Sequence, residues 1–322
     1  MTGRQIRPEW PIAAMYNHGG FPALILQYRV KAMGLVRIKQ RAKAFAGQHL
    51  YKTQIFINNL IARNFKKEHR YNGASELLAV TVAFNNPALI RMQHESLVSY
   101  SGIGLDYFVY DNSSDRSSSR MIEKYCIEHK IDYYRPMAKA IRENPSFDHG
   151  AALNCCIKRI STLKHAYKYL LLLDHDIFLS HFWSPSCMIK EGSSLAAPIQ
   201  KRGGHIYYWP GLMLISLDSV QLSHLCFLPD IKLGLDTGGR LGKLILEKNI
   251  SVDVVEHDGY LNIENDDFIE PNGDYFNQLL MANLIVEKYG PWIHLINGSG
   301  WRGRDNHKRA LDFVLAKINQ IE

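Results

Sequence analysis

The 322 residues are 46% hydrophobic and 21% charged, the balance of a globular chain able to bury a sizeable core, and no window approaches the ~18 uninterrupted apolar residues of a membrane-spanning helix. Five cysteines, odd in number and without a C-x-x-C pair, argue against a disulfide framework or a cysteine zinc site, and no secretory leader is read at the N-terminus, so a reducing, cytoplasmic setting is expected. The net charge of +7 is uneven: residues 1–72 hold 13 Lys and Arg against two acids, whereas residues 73–322 hold 25 against 29.

In chain order, the basic arm (1–72) interleaves Val30, Met33, Leu35, Val36 and Ile38 with Lys31, Arg37, Lys39, Arg41 and Lys43, a pattern that predicts mostly helix. Such a segment can lie on an anionic membrane surface or pack as a solvated arm on the body or another subunit; both readings stand. No helix-turn-helix, zinc-finger or RNP pattern supports nucleic-acid binding. From residue 73 the pattern alternates. Leu77–Phe84 predicts a strand, Ala88–Tyr100 a helix, Leu105–Tyr110 a strand, Ser117–Lys130 a helix and Ile131–Tyr134 a strand. A loop through Asn144-Pro145 leads to a helix from about His149 to Leu163, and Tyr169–Leu173 is a fourth strand. Near-continuous apolar strands separated by helices predict a mainly parallel sheet covered on both faces, with ligands outside the carboxyl ends of its strands. Asn85, Asp111, Asp174 and Asp176 stand at those ends and are expected to face one crevice.

The triplet Asp174-His175-Asp176 follows four consecutive leucines. Two carboxylates leaving a buried strand call for compensation, which a hard cation, Mn²⁺ or Mg²⁺, bridging phosphate oxygens supplies; a solvated acidic turn is the bland alternative. Asp111-Asn112-Ser113-Ser114-Asp115 is good turn and helix-cap chemistry by itself, yet it ends a strand where a carboxylate can read a nucleoside edge. His205–Leu217 reads as strands interrupted by Trp209-Pro210-Gly211, either a wall for a sugar or plain core. Asp236 opens a helix-like run, Arg240–Lys248, as its N-cap or as a general base; Asp258, Asp266 and Asp267 compete for the latter role. Gly298, Gly300 and Gly303 match G-x-G-x-x-G, but only 19 residues follow Gly303 in this sequence, too few for a dinucleotide-binding unit. A loop closing over a diphosphate, with Arg302 or Arg304 facing it, fits better. His294, just before this loop, reads on its own as a structural histidine.

In this order, Asn85, the D-N-S-S-D string, Phe147-Asp148-His149-Gly150-Ala151-Ala152-Leu153-Asn154 and Asp174-His175-Asp176 resemble the nucleotide-sugar half of family 2-like glycosyltransferases of the GT-A fold, well over residues 76–180 and loosely beyond. The resemblance implies an α/β fold with a mixed, mainly parallel sheet flanked by helices, divided at about residue 180 into a nucleotide-sugar half and an acceptor half (181–322). It implies that Asn85, Asp111, Asn112, Asn154, Asp174 and Arg302 serve the donor, that Asp174, Asp176 and His294 hold the cation, and that Asp236 is the base of an inverting transfer. A UDP-sugar is the favoured donor, and a glycan or lipid-linked hydroxyl the acceptor, in an enzyme of surface polysaccharide synthesis peripheral to the membrane's inner face. The competing expectations are a nucleotidyltransferase, which lacks its Gly-rich signature after the first strand, and a non-catalytic adaptor acting through the arm.

Overall fold

Four of the apolar runs form the middle of one sheet. In the computed structural model, which describes residues 75–136, 145–161, 167–202, 204–296, 298 and 306–319, the chain opens with β1 (Leu77–Ala83), every residue of which is buried. Its alternate side chains divide between two cores. Leu78, Val80 and Val82 join Phe108, Tyr110, Leu153, Ile157 and Ile160; Leu77, Ala79 and Ala83 join Ile90, Leu97, Ile122 and Cys126. A strand buried on both faces has no polar alternation to show, which is why these runs read as continuous.

The first helix, α1 (Pro87–Tyr100), starts on a proline, whose missing N–H costs nothing there. β2 (Leu105–Asp111) follows, then α2 (Arg116–Glu128), capped by the Asp115 carboxylate, which accepts from the backbone N–H groups of Ser117 and Ser118 at 3.2 and 3.0 Å. After β3 (Asp132–Tyr134) comes α3 (Pro145–Ile160), which begins four residues earlier than predicted because Pro145 starts the helix instead of ending a loop. β4 (Tyr169–Asp174) and β5 (Ile177–Leu179) are separated by His175 and Asp176 alone.

Residues 181–322 supply β6 (Leu195–Ala197), the hairpin of β7 (Ile199–Arg202) and β8 (His205–Tyr208), and β9 (Leu212–Ser216). They continue with α4 (Leu241–Glu247), β10 (Val252–Val254), β11 (Gly259–Asn262), β12 (Phe268–Ile269), α5 (Gly273–Met281), β13 (Ile285–Tyr289), β14 (Trp292–His294) and α6 (His307–Ile318). The central sheet has seven strands in the order β10-β6-β9-β4-β1-β2-β3. All run parallel except β9, which lies antiparallel between β4 and β6. The architecture is therefore mixed α/β with a mainly parallel central sheet flanked by helices, as expected.

The sequence reading did not include the second sheet, five antiparallel strands ordered β12-β11-β13-β14-β5. Its strands are short and several are half exposed, so no long apolar run announces them. α6 closes one side of it, packing Ala310, Val314 and Ile318 with Phe178, Val286 and Ile293. Among the described residues no helix is long and apolar enough to cross a membrane. The basic arm, Gly300, Gly303, Arg302 and Arg304 lie outside the described residues.

Candidate active site

Register places the site. Ala83 stands opposite Asp111, and Val82 opposite Asp174, so β1, β2 and β4 end at one edge of the sheet. What each side chain does at that edge differs.

Asn85 adopts a left-handed backbone, φ 54°, which asparagine tolerates better than most residues. Its Oδ1 accepts from Ser114 N and Asp115 N, both at 2.8 Å, its Nδ2 donates to Ser114 Oγ at 2.7 Å, and its backbone N–H donates to Ser113 Oγ at 2.8 Å. It stitches the loop after β1 to the loop after β2. Asp111 is fully buried. Its carboxylate accepts from Ser113 N at 2.8 Å, Tyr133 Oη at 2.7 Å and Ser119 Oγ, three donors that balance the cost of burying it. Asn112 donates its N–H to Ala83 O at 2.9 Å and leaves a half-buried side chain at the strand end. Asn154, on α3, accepts from Phe227 N at 2.9 Å, and Thr237 Oγ1 donates to Ser146 O at 3.0 Å, so α3 is tied to the loop that carries Asp236.

Asp174 and Asp176 are fixed from beneath by a residue absent from the sequence reading. Gln93, fully buried on α1, donates to Asp174 O at 2.8 Å and Ile177 O at 2.7 Å while accepting from Tyr107 Oη at 2.7 Å. From above, Asp174 N donates to Gly211 O at 2.7 Å and Asp176 O accepts from Leu295 N at 2.9 Å. The Asp174 side chain, 21% exposed, has His149 Nε2 at 3.3 Å from Oδ1, and Oδ1 is buried without a hydrogen bond. Burial raises the Asp174 carboxyl above its ordinary pKa; His149 opposes this and Asp176 reinforces it. Burial likewise lowers His175, whose ring is turned inward, despite the aspartates on either side.

His294 lies between two carboxylates: Nδ1 is 2.6 Å from Glu287 Oε2, its cross-strand partner, and Nε2 is 3.7 Å from Asp176 Oδ1. Burial disfavours its charge, but Glu287 and then Asp176 outweigh that and lift its pKa to about 9. Trp209 lies tilted against it, ring centroids 4.9 Å apart. Gly298 closes the cluster where a Cβ would meet Asp176 Oδ2 at 2.9 Å.

A divalent cation fits here as an open site. The buried, unbonded Asp174 oxygen and the raised carboxyl mark a place short of positive charge. Among the described residues no group of three or more His, Cys, Asp or Glu is arranged to hold a metal ion by itself, so a cation here would need water and substrate phosphates beside the aspartate pair.

Asp236 does not cap α4; Arg240 occupies that position. Its Oδ2 instead takes Arg202 Nη2 at 2.7 Å, and its Oδ1 accepts from the Tyr207 hydroxyl, which also lies 2.5 Å from Gln200 Oε1. Two glycines connect it to the aspartate pair. A Cβ at Gly238 would meet Pro210 Cδ at 2.7 Å, and one at Gly211 would meet Asp174 Oδ2 at 2.5 Å and the Trp209 ring at 2.3 Å. Trp209-Pro210-Gly211 thus forms the partition between Asp174 and the Asp236 loop. The rival carboxylates are engaged elsewhere: Asp258 accepts from Gly290 N, Asp266 pairs with Lys317, and Asp267 accepts from Asn265.

The structure therefore brings together Asp174, Asp176 and His294, with Asp236 across the partition, and turns the side chains of Asn85, Asp111 and Asn154 into the scaffold. It adds His149, Gln93, Glu287, Arg202 and Tyr207. Of these only His149 and Tyr207 stood in segments the sequence singled out.

No protein-family model and no curated protein matches the chain. Among solved structures it is similar to the apo form of the bifunctional glycosyltransferase WbbM, at 13% identity over 79% of this chain and 51% of that one, with a TM-score of 0.42. It is also similar to the mannosyltransferase PcManGT from Pyrobaculum calidifontis in complex with GDP-Man and Mn²⁺, at 10% identity over 66% of this chain and 65% of that one, with a TM-score of 0.37. The chain thus spans about half the length of the first. Scores this low leave function to the site's own chemistry.

Proposed function

We propose that the chain is a metal-dependent glycosyltransferase of the GT-A kind, taking a sugar from a nucleotide-diphosphate donor, UDP-sugar favoured, to a hydroxyl of a glycan or lipid-linked acceptor with inversion. The observation that carries the reading is the aspartate pair at the carboxyl edge of the parallel sheet, one of its buried oxygens unbonded, with a third carboxylate, Asp236, across an aromatic partition. Asp174 and Asp176, with His294 once it has given up its proton, would hold Mn²⁺ or Mg²⁺, which when bound offsets the charge growing on the departing diphosphate. Asn85 and Asp111 act through the loop they hold, so that Asn112 and its neighbours meet the nucleoside; Asn154 acts through the loop it anchors. Arg302 belongs to the diphosphate.

Asp236 receives the proton of the attacking hydroxyl. Tyr207 holds one of its oxygens from a buried position, whereas Arg202, 54% exposed, can swing away and release the other. A carboxylate at hydrogen-bond reach of the acceptor is the geometric requirement for a general base.

The test is thermal stability with UDP, GDP, dTDP, CDP or NAD, each with and without Mn²⁺, since a ligand bound only by the native state raises its melting point. One nucleoside diphosphate acting only with metal is the expected result. Equal shifts without metal, or none at all, would overturn the reading.

A further inference from the structure

The β7–β8 hairpin has two faces. Directly opposed residues of an antiparallel pair share a face. Gln200 with Tyr207 and Arg202 with His205 are on the side of Asp236; Ile199 with Tyr208 and Lys201 with Ile206 are on the other. On that outer side Ile206 is 61% exposed and Ile199 37%. α4 runs alongside, for a Cβ at Gly242 would lie 3.9 Å from the Ile206 carbonyl oxygen. One turn beyond Gly242, Leu246 is 83% exposed, flanked in sequence by the exposed Lys243 and Lys248. The loop leading to Asp236 adds Ile231, Lys232 and Leu233, all exposed, on a turn closed by Leu233 N to Asp230 O at 3.1 Å.

Three segments joined to Asp236 through the chain or through hydrogen bonds thus repeat one chemistry, an uncovered aliphatic next to a lysine. Glu247, an acid among them, lies 3.6 Å from Lys243. A single exposed isoleucine is ordinary; aliphatics and cations recurring together on three neighbouring segments match the two components of an anionic bilayer surface, acyl chains and phosphate headgroups. We propose that the outer face of the hairpin, α4 and the 231–233 loop form a docking surface for an anionic phospholipid membrane, which anchors at the headgroups the segments that carry Asp236 and its partners Arg202 and Tyr207. Isoleucine and leucine enter the interface while the lysines remain at phosphate depth. The inference does not depend on the donor chemistry and can fail without it.

The test is flotation of the full chain with vesicles of phosphatidylcholine containing about a quarter phosphatidylglycerol, against phosphatidylcholine alone. The parent is expected to float with the anionic vesicles. I206E/L246E should bind them about tenfold more weakly or worse, and M121E/I127E, which charges exposed apolar positions on α2, should bind as the parent does. Residues 1–72 are the same in all three proteins, so the difference reports the patch alone. Parent-like flotation of I206E/L246E, or no flotation of the parent, overturns the proposal. Should I206E/L246E not fold, K201E/K243E at exposed positions replaces it, and unchanged flotation of that variant is equally fatal.

Discussion

Asp176 leans on His294 and Asp174 on His149, so each carboxylate already has an imidazole before it, and the two imidazoles differ. Glu287 and Asp176 lift the pKa of His294, whereas His149 lies 3.3 Å from an Asp174 oxygen. Asp176→Asn keeps the shape of the cluster and removes one ligand charge; the expected outcome is loss of the metal-dependent part of any nucleotide-induced thermal shift, with circular dichroism unchanged. Asp236→Asn should leave that shift intact and lower transfer by about 10² or more, the usual contribution of a general base. An undiminished transfer rate would place the base elsewhere. Gln93 makes three buried hydrogen bonds that no apolar side chain can replace. Gln93→Leu should destabilise the fold by about 2–4 kcal/mol, measured by urea unfolding, because two carbonyls and a tyrosine hydroxyl lose their partner.

At the scale of elements, α3 joins the two halves of the crevice. Its Gly150 lies where a Cβ would meet Phe227 O at 2.3 Å. In an isolated helix Gly→Ala is favourable by about 1 kcal/mol. Here Gly150→Ala must push the 227–239 loop away, so it should instead lower stability by about 1–3 kcal/mol and reduce transfer, in one variant assayed for both. The strand ends and their polar residues were legible because β1, β2 and β4 are long, apolar and buried on both faces, and because Asp174 breaks a leucine run. The fate of Asp111 was not legible: whether a carboxylate at a strand end faces a ligand or its own scaffold depends on donors as distant as Tyr133. Nor could periodicity show that Arg202 and Tyr207 hold Asp236, since those contacts come from a short hairpin's register. The second sheet escaped for a related reason, its strands being two to five residues long.

For the whole molecule, acid stability depends on an imidazole remote from the aspartate pair. His94 on α1, bonded through Nδ1 to Tyr125 Oη at 3.0 Å and packed against Tyr107, has its pKa lowered from 6.5 to about 4, first by burial and then by His129. Between pH 6.5 and 4 the unfolded chain binds a proton there that the folded chain does not. The stability this group contributes is therefore full above pH 6.5, falls as pH drops through that window and changes no further below about 4. Urea midpoints should fall less over this range in His94→Gln than in the parent; identical slopes would show that the ring titrates freely in the fold.

The two aspartates flank the passage from one sheet to the other. Asp174 is the last residue of β4 in the seven-stranded sheet, and Asp176 is the residue before β5 in the five-stranded one, with only His175 between them. The gap between their carboxylates is therefore a hinge dimension, set by the angle at which the sheets meet. A substitution deep in β13 or β9, far from any ligand, that tilts one sheet by a few degrees would alter the bite of the pair, and cation affinity would report it before any change in the chemistry.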